Sequence, residues 1–230
     1  MVKLHLKRLA SPKTWPIAKK KLTFVARPNP GPHKLEHQIP ISVFLRDMTG
    51  IVGSQKEVKF ILHNKDCLID GSVCHDNKRP VGLMDVVSLP KIKTFFRVSI
   101  NTKNKLVALK INEKESSLKV SKILKKTTLK KGKIQLNTLD GRSILVDDAS
   151  KFAVGDSLVL NLPDQKIVDH LPLAIGATIF LEAGRHVGII GEVVAFENSV
   201  VVVKAGDDVF KTKKSYALVV GKEKPIITLE

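Results

Sequence analysis

Residues 57–89, EVKFILHNKDCLIDGSVCHDNKRPVGLMDVVSL, contain a change of hydrophobic period that decides the fold of the first half of the chain. Val58, Ile61 and Leu62 are spaced as one apolar face of a helix. After Lys65 the pattern changes to short apolar runs, which are typical of strands. The stretch therefore predicts a helix followed by a small sheet.

Local signals mark where these elements begin and end. Ser54 and Glu57 form Ser-x-x-Glu, which predicts a capping box at the start of the helix. Asp70-Gly71 predicts a hairpin turn between strands at Cys67–Ile69 and Ser72–Cys74. A loop with Lys78, Arg79 and Pro80 then leads to a second strand over residues 84–89.

A second helix is expected before the capped one. Ile41, Phe44, Leu45 and Met48 share one helical face. Pro40 suits the first helical position, and Gly50 suits the end. Two small helices would then lie against a bent sheet and leave one basic face, which is a common way to hold structured RNA.

Charge supports a polyanionic partner. The chain has 230 residues, with 39 Lys and Arg against 22 Asp and Glu, a net charge of +17. Residues 1–35 hold nine basic and no acidic residues, 102–133 hold eleven Lys and two Glu, and 134–200 hold four basic and nine acidic residues. Two basic blocks, followed by an acidic one, predict distinct nucleic-acid-binding surfaces, with an anionic membrane as the second possibility.

Several function classes are disfavoured. No apolar run is long enough to span a membrane, and the basic N-terminus lacks the apolar core of a secretory signal. We find no metal-ligand spacing and no catalytic motif, and we expect no cofactor, metal site or small-molecule substrate. Cys67 and Cys74 are expected to be packed, reduced thiols, and Asp85 is expected to accept hydrogen bonds from turn N–H groups.

The first 38 residues predict a basic, proline-rich arm that becomes ordered on RNA and whose deletion leaves the remainder folded. Trp15 could stack on a base or attach the arm to the protein. The candidate RNA-binding residues of the arm are Lys3, Lys7, Arg8, Lys13, Trp15, Lys19, Lys20, Lys21, Arg27, His33 and Lys34.

The rest of the chain is predicted to form β structure. Short apolar segments between 95 and 161 predict a central β domain, a small barrel or sandwich. Further strands are expected at 179–181, 187–190, 193–196, 200–203 and 217–220. The candidate RNA-binding residues after the arm are Arg46, Lys56, Lys59, Lys65, Lys78, Arg79, Lys122, Lys125, Lys126, Lys130, Lys131, Arg185 and His186.

Three groups of residues carry a resemblance to a known family. They are HLKRL..PK.W from His5, RP..GPHKLE..IPI..FLRD over 27–47, and DG.V..D...P.GLMDV over 70–86. Together they resemble the small-ribosomal-subunit protein family S-four-e of archaea and eukaryotes, in its shorter archaeal form. The helix and bent sheet resemble the RNA-binding module named after bacterial ribosomal protein four. The segment AGRHVGIIGEVVAF, 183–196, resembles the KOW motif of small SH3-like barrels.

The resemblance implies an α+β, multi-module chain. It comprises a basic arm (1–38), the RNA-binding module (39–90), the central β domain (91–172) and a KOW-type SH3-like barrel with a tail (173–230). It implies a structural constituent of the small subunit that binds its rRNA beside neighbouring ribosomal proteins in the cytoplasm. An RNA-modifying enzyme using the module as a guide, and a free elongation or assembly factor, are the alternatives.

Overall fold

The structure is a computed structural model that describes residues 5–20, 22–129, 132–146 and 150–229. It is mixed α and β, rich in strands and poor in helix. Contacts between Cα atoms divide it into two units. The first unit is Met1–Ile100 with Asn104–Ser117, and the second is Asn101–Lys103 with Leu118–Glu230.

The first unit contains short helices among antiparallel strands. In chain order its described strands and α-helices are β1 (Leu6–Lys7), β2 (Phe24–Val25), β3 (Gln38–Pro40), α1 (Ile41–Val43), α2 (Gln55–His63), β4 (Leu68–Ile69), β5 (Ser72–Val73), β6 (Pro80–Gly82), β7 (Val86–Leu89), β8 (Thr94–Ile100), β9 (Leu106–Ile111) and α3 (Glu113–Ser116). The strands pair as β1-β2, β3-β6 and a five-stranded sheet in the order β5-β4-β7-β8-β9.

The predicted capping box is confirmed at the start of α2. The backbone N–H of Glu57 donates to Ser54 Oγ at 3.3 Å, and the N–H of Gly53 donates to Glu57 Oε2 at 2.9 Å. The Glu57 N–H, which the first helical turn leaves unpaired, is thereby satisfied, and so is the N–H of Gly53, the residue before the N-cap. The Gly53 N–H, with the Ser54 hydroxyl, lowers the pKa of Glu57. Val58 and Leu62 are buried, as the apolar period predicts.

The earlier helix is less regular than its sequence pattern predicts. Pro40, predicted at the first helical position, is instead the N-cap of α1, and the helix begins one residue later at Ile41. From Phe44 to Met48 the helix widens into a π-helical turn. Phe44 and Leu45 are nevertheless buried, so the apolar face packs into the core although the last turn is not α-helical.

The hairpin after α2 is confirmed, whereas the loop that follows it is partly a strand. Asp70 and Gly71 have φ of 50° and 75°, the left-handed values that a tight hairpin turn needs. Pro80 lies at the start of β6, where Ile39 pairs with Val81. A proline is tolerated there because this two-stranded pair has free edges.

The basic arm is part of the folded first unit. Trp15 is fully buried, and its indole N–H donates to the Gln38 carbonyl at 2.7 Å. Leu6 and Val25, opposite each other in β1 and β2, are also buried. These contacts argue against the expectation that residues 1–38 can be deleted without loss of the fold, because core side chains would be lost with them.

The predicted central β domain begins later than residue 91. β8 pairs with β7 over Val86–Leu89, and β9 pairs with β8, so both extend the sheet of the first unit. Its buried residues Val98, Ile100 and Leu106 therefore belong to the first core. Consecutive antiparallel strands joined by short turns pair readily, but no local residue pattern indicates which sheet they join.

The second unit is built from antiparallel strands. In chain order they are β10 (Leu118–Thr128), β11 (Ile134–Thr138), β12 (Ser143–Val146), β13 (Ser157–Asn161), β14 (Lys166–Leu171), β15 (Thr178–Leu181), β16 (Ile190–Glu197), β17 (Val200–Ala205), β18 (Asp208–Lys213) and β19 (Ala217–Gly221). They form two five-stranded sheets, β12-β11-β10-β13-β14 and β18-β17-β16-β15-β19.

Neither β14 nor β18 was predicted from the sequence. Their exposed faces carry Lys166, Asp169 and Lys211, so the apolar period is weak. The segments 187–190 and 193–196 were predicted as two strands, but residues 187–189 lie in a turn and the short connection after it. The single strand β16 begins at Ile190 and contains a bulge near Val193.

Gly188 and Gly191, in the 183–196 segment, are required by close packing. A Cβ on Gly191 would lie 2.6 Å from Val203 Cγ1 and 2.8 Å from the Lys204 carbonyl oxygen. A Cβ on Gly188, which has φ of +78°, would lie 2.5 Å from the backbone of Asn101. Both contacts are too short for any other residue.

Candidate nucleic-acid interface

The cations of this protein fall into two groups that differ in burial and pairing. Members of the first group are buried and face an acidic side chain, as buried charges require. The pairs are Arg8 with Asp47 (3.6 Å), Arg97 with Glu115, Lys119 with Asp140 (3.2 Å) and Lys122 with Glu182 (3.7 Å). Their charge is compensated within the fold.

Four residues predicted to contact RNA have side chains inside the fold. Arg8 donates to the Ala18 carbonyl at 2.8 Å, and Lys122 donates to the Ser215 carbonyl at 2.5 Å. Burial lowers the pKa of Lys122, and the charge of Glu182 acts in the opposite direction. Of the two roles considered for Trp15, attachment of the arm to the protein is the one that the structure contains.

His33 is the fourth of these buried residues. Its Nε2 lies 3.2 Å from Asp85 Oδ1, and Asp85 Oδ2 accepts the Gly82 N–H at 2.7 Å. The expectation that Asp85 binds turn N–H groups is thereby confirmed. A Cβ on Gly82 would collide with the His33 ring, at 2.1 Å. The pair joins the arm to β6.

Cations of the second group are exposed along α2 and the turn after it. Lys56 and Lys59 lie on the solvent side of α2, and Lys65 follows with φ of 60°. Among the described residues, none of these three forms an ion pair. Their charges are uncompensated and available to an anionic partner.

A groove of about 560 Å³ lies beside these lysines. Its lining contains basic, imidazole and amide side chains, which suit phosphate and sugar oxygens, together with one carboxylate and one apolar side chain. The lining residues are Lys59, Leu62, His63, Lys65, His75, Asp76 and Asn77. His63, His75 and Asn77 were not among the candidate RNA-binding residues, because nothing in their spacing shows that the end of α2 faces the loop after β5.

Three further candidate cations, which lie before α2 or after the groove residues in the sequence, are half-buried, and two of them already have partners within the protein. Arg46 is half-buried and pairs with Asp47 at 2.6 Å. Arg79 donates to the Val73 carbonyl at 3.0 Å, and Lys78 is half-buried. These three can contribute to an interface at its margin.

In the arm, Lys7, Lys13, Lys20 and Lys34 are exposed. Lys19 and Arg27 are half-buried, and Lys19 donates to the Ser11 carbonyl at 3.0 Å. Lys3 and Lys21 lie outside the described residues.

In the second unit, Lys125 and Lys126 are exposed on the far half of β10, whereas Lys122 on the near half is buried. Lys130 and Lys131 lie outside the described residues. Arg185 is exposed, and the His186 ring stacks on Phe210 with a centroid distance of 3.9 Å.

No site for other chemistry emerges from the part of the chain that the structure describes. Among those residues, no group of three or more His, Cys, Asp or Glu is placed to hold a metal ion. Cys67 and Cys74 are free and buried, as expected, and burial raises their thiol pKa to about 12 and about 11. Such thiols are unreactive at neutral pH. None of the described helices has the length and apolar character needed to cross a membrane.

Comparison with known proteins identifies two matching family profiles. Residues 92–167 match the family described as "Ribosomal family S4e", and residues 2–36 match the "RS4NT (NUC023) domain". The first match spans β8 to β14 and crosses the boundary between the two units. The second covers the basic arm.

Curated relatives match along nearly the whole chain. "Small ribosomal subunit protein eS4" of Methanosphaera stadtmanae is 42% identical, over 98% of this chain and 95% of the relative. The protein of the same name from Methanocaldococcus jannaschii is 38% identical, over 99% of this chain and 98% of the relative.

A solved structure shares the fold. The crystal structure of the 30S ribosomal protein S4e from Thermoplasma acidophilum superposes with a TM-score of 0.71 at 28% identity, covering 84% of this chain and 99% of that one. The profiles, the relatives and this structure agree with the resemblance found in the arm and in residues 27–86. The chain belongs to the S4e family of archaeal small-subunit ribosomal proteins, which are structural ribosomal proteins and not enzymes.

Proposed function

We propose that this protein binds small-subunit rRNA in the cytoplasmic ribosome and supports translation and subunit assembly through its basic surfaces. The observation that carries the proposal is the contrast between its two groups of cations. Buried cations such as Lys119 have acidic partners, whereas Lys56, Lys59 and Lys65 are exposed without one. A folded monomer gains nothing from grouped, unpaired lysines, since like charges repel.

The contacts are mainly to the phosphate backbone. Lysine is a flexible point charge that neutralises phosphates without reading bases. The groove beside α2 adds imidazole and amide groups that can bond to sugar and phosphate oxygens. Specificity then comes from the fit between the protein surface and folded RNA, as is usual for structured RNA.

We further propose that the two units contain the modules that the sequence resembles. The capped helix α2 with the sheet around β4 and β7 is the RNA-binding module of the bacterial ribosomal protein four type. The sheet β18-β17-β16-β15-β19, with close-packed Gly188 and Gly191, is the KOW-type barrel. The arm is a built-in part of the first module, and neighbouring small-subunit proteins contact the less basic surfaces of the second unit.

A salt titration tests the proposal. If roughly eight phosphates are neutralised, the affinity of the full chain for small-subunit rRNA falls by about 10³–10⁵ between about 50 and 200 mM salt. The measurement is filter binding or fluorescence anisotropy with transcribed rRNA. An affinity that does not change with salt would contradict phosphate-based binding.

A further inference from the structure

The arm carries an exposed aromatic ring beside a lysine. In the β1-β2 pair, Leu6 lies opposite Val25 and both are buried, whereas Lys7 lies opposite Phe24 on the outward side. Side chains alternate between the faces of a strand, so Lys7 and Phe24 share the outer face. Phe24 is 56% exposed, and the His5 ring centroid lies 6.1 Å from that of Phe24.

Two further large apolar side chains are exposed on the segments next to β1 and β2. Leu9 is 70% exposed and Leu22 is 57% exposed. The Arg8 N–H donates to the Thr23 carbonyl at 2.9 Å, which brings the segments carrying Leu9 and Leu22 side by side. Single exposed apolar residues are ordinary, but a group of large ones around an aromatic ring marks a binding surface.

Charge indicates what binds there. Residues 1–35 contain nine Lys and Arg and no Asp or Glu. Lys7 and Lys20 are exposed in this segment. A nucleotide presents a flat π face and an adjacent negative phosphate, which complements an exposed ring beside a lysine. An apolar protein segment would use the ring but would leave the positive charge without a partner.

We propose that Phe24, with His5 beside it, is a stacking site for an unpaired rRNA base, and that Lys7 binds a phosphate of the same strand. The inference rests on the proposed function, because it names a base-contacting site within an otherwise phosphate-directed interface. It adds a contact to single-stranded RNA, whereas the lysines of α2 bind backbone alone.

Substitution of Phe24 in the full chain tests the site against transcribed small-subunit rRNA. Phe24→Ala and Phe24→Leu are expected to weaken binding about 5- to 150-fold, the range given by loss of one base–aromatic stack, and Phe24→Trp is expected to retain it. The slope of log affinity against log salt stays unchanged in Phe24→Ala, since stacking releases no counterions, whereas Lys7→Ala lowers it by about 1.

A matched control is Val168→Ala, because Val168 is 59% exposed but lies on β14 in the acidic segment 134–200. It is expected to bind as the unaltered chain does. Ultraviolet cross-linking followed by mass spectrometry is expected to yield a nucleotide adduct on Phe24.

Three outcomes would overturn the inference. The first is unchanged rRNA binding by Phe24→Ala, and the second is full rRNA binding by Phe24→Leu. The third is a Phe24→Ala variant that binds free rRNA normally but fails to enter reconstituted subunits. The last would assign the patch to a protein neighbour. Failure of the proposed function is distinct, because the unaltered chain itself would then lack salt-dependent binding.

Discussion

Asp140 illustrates how a single buried charge is held in this protein. Its Oδ1 accepts the hydroxyl groups of Ser121 at 2.8 Å and Thr138 at 2.5 Å. Its Oδ2 lies 3.2 Å from Lys119 Nζ and 2.9 Å from Arg142 Nε. Burial acts to raise the pKa of Asp140, but the two cations and two hydroxyl groups outweigh it and place the pKa below its usual value.

We expect Asp140→Asn to lower the free energy of unfolding by about 3–5 kcal/mol at neutral pH, because the carboxylate that faces Arg142 and buried Lys119 would be lost. A lowered carboxyl pKa stabilises the fold above the unfolded-state pKa of about 4, and this stability is lost as pH falls through the folded-state pKa. The variant should therefore lose less stability in acid than the unaltered chain. Urea unfolding at pH 7 and at about pH 3 measures both effects.

The control for this experiment is Asp164→Asn, an exposed aspartate in the turn between β13 and β14. Surface substitutions of this kind change stability by about 0.5 kcal/mol or less. Equal stability of Asp140→Asn and Asp164→Asn at pH 7 would contradict the role assigned to the buried pair.

Among elements, the arm departs most from what composition predicts. Prolines and lysines without a sustained period are typical of an extended segment that folds only on its partner. Here β1 and β2 pair with each other, and Trp15 fills the core with its N–H bonded to Gln38. A few well-placed apolar side chains are enough to hold the arm to the first unit.

We expect Trp15→Ala to destabilise the first unit by about 3–5 kcal/mol, the usual cost of removing a buried tryptophan side chain. Deletion of residues 1–38 should cost at least as much. Urea unfolding followed by circular dichroism measures the loss. Phe24→Ala is the matched aromatic control, since Phe24 is exposed, and it should leave stability unchanged. If Trp15→Ala and the deletion unfold at the same urea concentration as the unaltered chain, the arm does not contribute to the core and this account is contradicted.

Elements fixed by local signals were predictable from the sequence. Ser54 and Glu57 predict the start of α2, and Asp70-Gly71 predicts the hairpin. Both predictions depend only on interactions between residues a few positions apart in the sequence. Long-range pairing was not predictable in the same way. Nothing within β8 or β9 says that they join β7, and the burial of Lys122 in β10 depends on Glu182, sixty positions away. For the same reason, the sequence could not show that the candidate cations Arg8 and Lys122 are buried by residues distant in the chain.

At the scale of the whole molecule, charge separates into compensated and uncompensated parts. The chain has a net charge of +17, and the acid-rich segment 134–200 leaves the excess in other regions. Some basic residues are neutralised in buried ion pairs, so the basic surface available to RNA is smaller than the number of lysines suggests. What remains exposed on α2, in the arm and on β10 is the surface that the proposal assigns to rRNA.

The most direct measurement compares two triple charge reversals in rRNA-binding titrations over a range of salt concentrations. Lys56→Glu, Lys59→Glu and Lys65→Glu alter the proposed surface, and Lys151→Glu, Lys166→Glu and Lys222→Glu change net charge equally at other exposed sites. The first set should weaken rRNA binding at every salt concentration and reduce the salt slope by about 3, while the second leaves the slope within about 1 of the unaltered chain. Equal losses in both sets would mean that net charge alone drives binding, and would contradict a defined interface on α2.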